Sequence, residues 1–136
     1  MCFEIMFHVK RFTSKNQKLG LLGEGIATNF LKNKGFSIID RNYTKKFGEI
    51  DIISKKDGII FFSEVKSVSQ NLSTDVFDGY RPEDMVHYKK RQKLKLTIKN
   101  YLAKAGDIDW QFNVICILID QNTRRARVKV IEDIVL

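Results

Sequence analysis

The sequence predicts an α/β fold, a mixed central sheet flanked by helices, with elements in the order α-β-β-β-α-β and one strand appended. Three observations carry this reading. Apolar residues recur at helical spacing in two stretches, 17–34 and 83–105. Between them lie three short runs rich in β-branched and aromatic residues, joined by connections so brief that they imply an antiparallel meander. After the second helical stretch, 112–120 is apolar on both faces, as in a central strand covered on two sides.

Residues 1–16 show no clear periodicity and end in the polar run Thr13-Ser14-Lys15-Asn16. They read as a partly disordered N-terminal extension, which leaves 17–136 as a single domain. In the first helix Leu19, Leu22, Ile26 and Phe30 form the apolar stripe, and Gly35 closes it. Glu24 lies on the shoulder of that stripe between Gly23 and Gly25. A glycine inside a helix costs about 1 kcal/mol relative to alanine. Two of them around one carboxylate predict either close approach to another element or ligand, or tight packing beside a solvated glutamate. Strands follow over 36–43, 48–55 and 59–67. The polar segment 68–82 is the longest loop, and its place after the third strand would set it over any site there. The second helix buries Val86, Leu94, Ile98, Tyr101 and Leu102, and Lys90 interrupts this face. A lysine so placed either snorkels to solvent or reaches toward an anion. Gly106 ends the helix, and strands over 112–120 and 125–134 complete the chain. A helical crossover between the third and fourth strands allows these two to run parallel.

The 136 residues suit one domain with a sizeable core. A net charge of +8, from 24 Lys and Arg against 16 Asp and Glu, favours a polyanionic partner. No apolar run reaches the length of a membrane span, and the apolar opening residues precede their positive charges, the reverse of a signal peptide. Cys2 and Cys116 offer neither a disulfide framework nor zinc-ligand spacing, as expected of a reduced, cytoplasmic protein. His8 and His87 are isolated and read as surface residues.

Two segments concentrate the chemistry: Gly48-Glu49-Ile50-Asp51-Ile52-Ile53 and Ser63-Glu64-Val65-Lys66-Ser67. Strand alternation would put Glu49 and Asp51 on one face, and likewise Glu64 and Lys66. Pairing through a turn at Lys56-Asp57-Gly58 would gather three carboxylates and an ammonium on one side of a sheet. So many charges on a packed sheet need neutralising, and a divalent metal beside a lysine does this economically. A lone Glu-x-Lys triplet is weak as a signal. The ordered set is stronger: a helical Glu, a strand Asp, then Glu-x-Lys after one turn.

Leu22-Gly23-Glu24 with Ala27, then Arg41-Asn42, Gly48-Glu49-Ile50-Asp51 and Glu64-Val65-Lys66 resemble the bacterial UPF0102 (YraN-like) family. That family is similar to the restriction-endonuclease-like PD-(D/E)xK nucleases, and among those to archaeal Holliday-junction resolvases. The resemblance implies a restriction-endonuclease-like core, with Asp51 and Glu64 as metal ligands, Lys66 as catalytic lysine and Glu24 as auxiliary acid. Lys90 matches the family's lysine on the second helix. The chain departs from the family at Gln111-Phe112-Asn113, where Arg-Phe-Asp is favoured.

On this reading Asp51, Glu64 and the backbone carbonyl of Val65 would hold the ion, with Glu24 contributing through water. Hard oxygen donors suit Mg²⁺ or Mn²⁺. Lys66 would orient the attacking water or stabilise the transition state, Lys90 would assist from the other side, and Glu49 ranks behind the other acids. Lys45-Lys46, Lys55-Lys56, Lys89 through Lys95 and Arg124-Arg125-Ala126-Arg127 are candidate phosphate contacts. The expected activity is metal-dependent hydrolysis of phosphodiester bonds in DNA, branched or damaged forms included. The expected partner is nucleic acid, and symmetric cleavage would require a homodimer. The rival readings are a nucleic-acid-binding module that keeps the fold without the chemistry, and an adaptor docking through apolar residues in 1–12.

Overall fold

The computed structural model describes residues 2–6, 15–69, 88–120 and 122–136. The elements are β1 (Cys2–Met6), α1 (Lys15–Asn33), β2 (Ser37–Lys45), β3 (Gly48–Lys56), β4 (Ile59–Ser69), α2 (Tyr88–Ala105), β5 (Trp110–Asp120) and β6 (Arg125–Ile131). All six strands join one sheet in the order β1-β6-β5-β4-β3-β2. Only β4 and β5 run parallel; the other neighbours are antiparallel. The α-β-β-β-α-β core with its mixed sheet is therefore as the sequence predicts.

The core divides into two layers because β5 offers apolar side chains to both. Val114, Cys116 and Leu118 pack with Leu94 and Ile98 of α2, while Ile115, Ile117 and Ile119 pack with Ile26, Ala27, Phe30 and Leu31 of α1. Burying a side chain of this size stabilises by about 1.5–3 kcal/mol. α1 stops where Gly35 takes a φ of +88° and the chain folds back, Phe36 N donating to Leu31 O at 3.0 Å.

Two differences from the sequence reading are informative. Cys2–Met6, assigned to a partly disordered extension, pairs antiparallel with Lys129–Arg125 and forms the edge of the sheet. The last strand ends at Ile131, short of 134, because the following residues turn back: Asp133 N donates to Asn113 Oδ1 at 2.9 Å and Ile134 N to Phe112 O at 2.8 Å. Asn113 also accepts from Gln111 Nε2 at 3.0 Å, so the departure at Gln111-Phe112-Asn113 ties down the C-terminal segment. The second helix is described from Tyr88, so Val86, His87 and the start assigned at residue 83 lie outside the described residues, as do most of the 68–82 loop, His8 and residues 7–12.

Candidate active site

The site forms where β3 and β4 part. Their ladder runs from Lys56↔Ile59 to Ile52↔Ser63 and goes no further. At the next step Asp51 Oδ2 accepts a hydrogen bond from Val65 N at 2.8 Å, so a side-chain carboxylate stands where backbone pairing would continue. Alternation breaks at the same point. Ile50 packs into the α2 layer and Ile52 into the α1 layer, although residues two apart in a regular strand share a face. Strict alternation therefore does not hold for Ile50 and Ile52, yet Glu49 and Asp51 line one cavity.

Glu64 is buried to 5% exposure in β4, next to Val114 of the parallel strand. Its Oε1 faces two ammonium groups: Lys66 Nζ from the same strand face at 3.4 Å, and Lys90 Nζ, in hydrogen-bond contact, from α2. Lys90 thus reaches the acidic cluster, the sharper of its two readings. Burial opposes the charge on Lys90, but the Glu64 carboxylate outweighs this and holds the ammonium above the ordinary lysine range. Asp51 is pushed the other way. Burial first, then repulsion from Glu64, Glu24 and Glu49, raise its carboxyl to about 7 against the partial relief of the Val65 N–H.

Glu24 approaches from α1. Its carboxylate lies 3.7 Å from Arg41 Nη2. With its amide turned to donate, Asn42 bridges Glu24 Oε1 at 3.2 Å and Glu49 Oε1 at 3.1 Å, from a backbone φ of +53°. Of the two glycines beside Glu24, Gly23 makes the close approach: a Cβ there would fall 1.7 Å from Ser67 Oγ. Gly25 has open space. Across the sheet Gly48 does the same for α2, where a Cβ would lie 2.5 Å from Thr97 Oγ1 and 3.1 Å from the Lys93 carbonyl oxygen. These two contacts set how close each helix brings its polar side chains.

Two cavities result, with Asp51 and Glu64 in the wall of both. One, about 490 Å³, is completed by Glu49 and by Lys89, Lys90 and Lys93 of α2. The other, about 400 Å³, is completed by Glu24, Val65 and Ser67, with Leu19 and Gly20. The structure thus brings Asp51, Glu64, Val65, Lys66 and Lys90 together, while Glu24 stands in the second cavity. Arg41 and Asn42 have no role assigned in the sequence reading, and their place in the family motif is the signal that points to one. Of the candidate phosphate contacts, Lys89 and Lys93 line the first cavity, whereas Lys56 Nζ is engaged with the Lys34 carbonyl at 2.7 Å.

Among the described residues no three Asp, Glu, His or Cys side chains form a ready-made cage for a metal. The donor set fits an ion that keeps part of its water: two carboxylates, one of them raised to about 7 by burial first and then by its acidic neighbours. Mg²⁺ is commonly held in this manner, by one or two carboxylates with several retained waters. The same donors lack the nitrogen and sulfur that zinc prefers.

A family model described as "Uncharacterised protein family UPF0102" matches residues 23–117. The chain is 43% identical over 102 residues to a UPF0102 protein of Campylobacter jejuni subsp. doylei, covering 74% of this chain and 84% of that one. It is 45% identical over the same length to one from Campylobacter jejuni subsp. jejuni, with the same coverage. With a UPF0102 protein of Campylobacter fetus it shares 39% over 121 residues, 88% of this chain and 96% of the relative. None of these descriptions names an activity.

Proposed function

The chain belongs to the UPF0102 family, and on that premise we propose that it is a metal-dependent endonuclease hydrolysing phosphodiester bonds in DNA. The observation that carries the reading is a single wall of two carboxylates, Asp51 and Glu64, with Lys66 and Lys90 both on Glu64 Oε1.

Asp51 and Glu64 would hold Mg²⁺ or Mn²⁺, helped by the Val65 carbonyl. The ion, when bound, supplies Lewis-acid polarisation of the phosphoryl group and lowers the pKa of the attacking water. The chain's own residues do the rest. Lys89 and Lys93 draw the anionic backbone into the first cavity. Lys66 and Lys90, once Glu64 has another cation to neutralise it, are free to turn toward phosphate oxygens. There one orients the water and the other offsets charge on the leaving side. Glu24 faces the same two carboxylates from the second cavity, and Arg41 and Asn42 hold it there. DNA carrying branches or damage is the substrate class to try first.

One observation favours a second reading. Glu64 is already neutralised by its two lysines, so the fold can keep this acid buried without any metal. A module that binds nucleic acid and does no chemistry would use the same lysines. The test is a cleavage screen with Mg²⁺ and Mn²⁺ on linear, nicked, flapped and four-way DNA, and on RNA, beside binding assays on the same set. Metal-dependent products that vanish in Asp51→Asn support the endonuclease. Binding without products on any substrate replaces it with the module.

A further inference from the structure

Another flank of α2, sharing no residue with either cavity at Asp51, carries a groove of about 380 Å³. Its apolar lining includes Leu96, Leu102, Trp110 and Leu136, and its rim carries Lys95 and Lys99. Leu96 is 53% exposed and Trp110 43%, among the largest apolar exposures of the described residues. Leu96 stands outside the core, which α2 completes with Leu94 and Ile98, and Trp110 meets the core at the edge of Phe62. The two lysines stand four residues apart, one helical turn or about 6 Å, along the same side of the apolar strip.

We propose that this groove docks an acidic segment of a partner protein with an apolar anchor. The anchor's aliphatic or aromatic side chain fills the space between Leu96, Leu102 and Trp110, and neighbouring carboxylates pair with Lys95 and Lys99. Charge complementarity selects this occupant. Both rim charges are positive, in a chain whose net charge is +8, and the segment just before Trp110 carries Asp107 and Asp109. Those acids repel carboxylates from the tryptophan end, so the apolar anchor belongs there and the acidic stretch beside the lysines.

Two other occupants fit less well. A nucleobase needs a free aromatic face and polar groups for its edges. This lining is mainly aliphatic, and the indole is already edge-on to Phe62, centroids 5.7 Å apart at 74°. A second copy in a two-fold dimer centred on the groove would bring its own Lys95 and Lys99 against this pair, like charge on like.

Trp110 is the only tryptophan, so its emission reports on this groove alone. The full chain is titrated with a synthetic peptide of four aspartates followed by leucine and phenylalanine. A saturable change in Trp110 emission is expected, with affinity in the micromolar range. The double variant Lys95→Glu, Lys99→Glu should weaken it by about tenfold or more. Leu96→Ser, at an exposed position that leaves the fold intact, should weaken it comparably, and Asp51→Asn should leave it unchanged. Binding of a peptide with serines in place of the aspartates at equal strength would overturn the proposal. So would an unresponsive Trp110 with no heat of binding by calorimetry, or a single-stranded oligonucleotide whose quenching of Trp110 is abolished by Leu96→Ser. Self-association without peptide that Leu96→Ser abolishes would also overturn it, in favour of a second copy.

Discussion

Replacing Asp51 by asparagine should stabilise the metal-free protein, with a gain that opens as pH rises above about 4 and is complete above about 7. The carboxyl titrates near 3.8 in an unfolded chain and is raised to about 7 in the folded one. Between those values the folded state binds the extra proton, so stability is lost as pH rises through this window and the loss is complete above about 7. At about 1.4 kcal/mol per pH unit, the full gap is worth on the order of 4 kcal/mol. Asparagine never ionises, and its Oδ1 can still accept from Val65 N, so the variant escapes the loss. Urea unfolding of both proteins in a chelator should give stabilities equal within about 1 kcal/mol at pH 4, and Asp51→Asn ahead by about 2–4 kcal/mol at pH 8. Other groups titrate alike in both proteins and cancel in the difference. Added Mg²⁺ should then raise the wild type by the linkage of binding to folding and leave the variant where it was. A difference that is the same at both pH values would refute the raised carboxyl, and with it the burial and crowding of Asp51 on which the metal site is argued.

Three further outcomes follow from the same geometry. Lys66→Ala should still bind Mg²⁺ and DNA while losing at least about a hundredfold in cleavage rate in the substrate screen, since the role proposed for it is in the chemistry and not in ligation. Gly23→Ala should cost about 1–3 kcal/mol by overpacking against Ser67; adding Ser67→Gly should restore most of it, as chemical denaturation of both variants would show. Affinity for DNA should fall steeply with salt on a log–log plot, and removing Lys89 and Lys93 together should flatten that slope by about two phosphate contacts.

Much of this was legible before any coordinates. Lys90 could be found because it breaks an apolar stripe, and a long cation in such a place must go to solvent or to an anion. Glu64 and Lys66 could be paired because alternation along β4 is regular. Other features depend on geometry that residue order does not encode. The break at Asp51 arises from two strands splaying apart, and nothing in Ile50-Asp51-Ile52 announces that its flanking isoleucines face opposite layers. Cys2–Met6 joins the sheet through a partner more than a hundred residues away, so its short run of apolar residues carried no local signal. Asn42 looks like an ordinary strand residue until its left-handed backbone and its two carboxylate neighbours are seen.

Because the two carboxylates sit in a shared wall, the charge on either side of them is unequal. Lys89, Lys90 and Lys93 line the cavity toward α2, whereas the cavity toward α1 carries Glu24 and, among the described residues, no lysine. The sheet at this point behaves like the plate between unlike potentials, and an anion and a cation would each feel a preferred direction of approach. On the proposed function a polyanion would be drawn in from the lysine side, and a small divalent ion could arrive from the other. Loading order then becomes a matter of the protein's own field, since the ion need not wait for the strand or the strand for the ion.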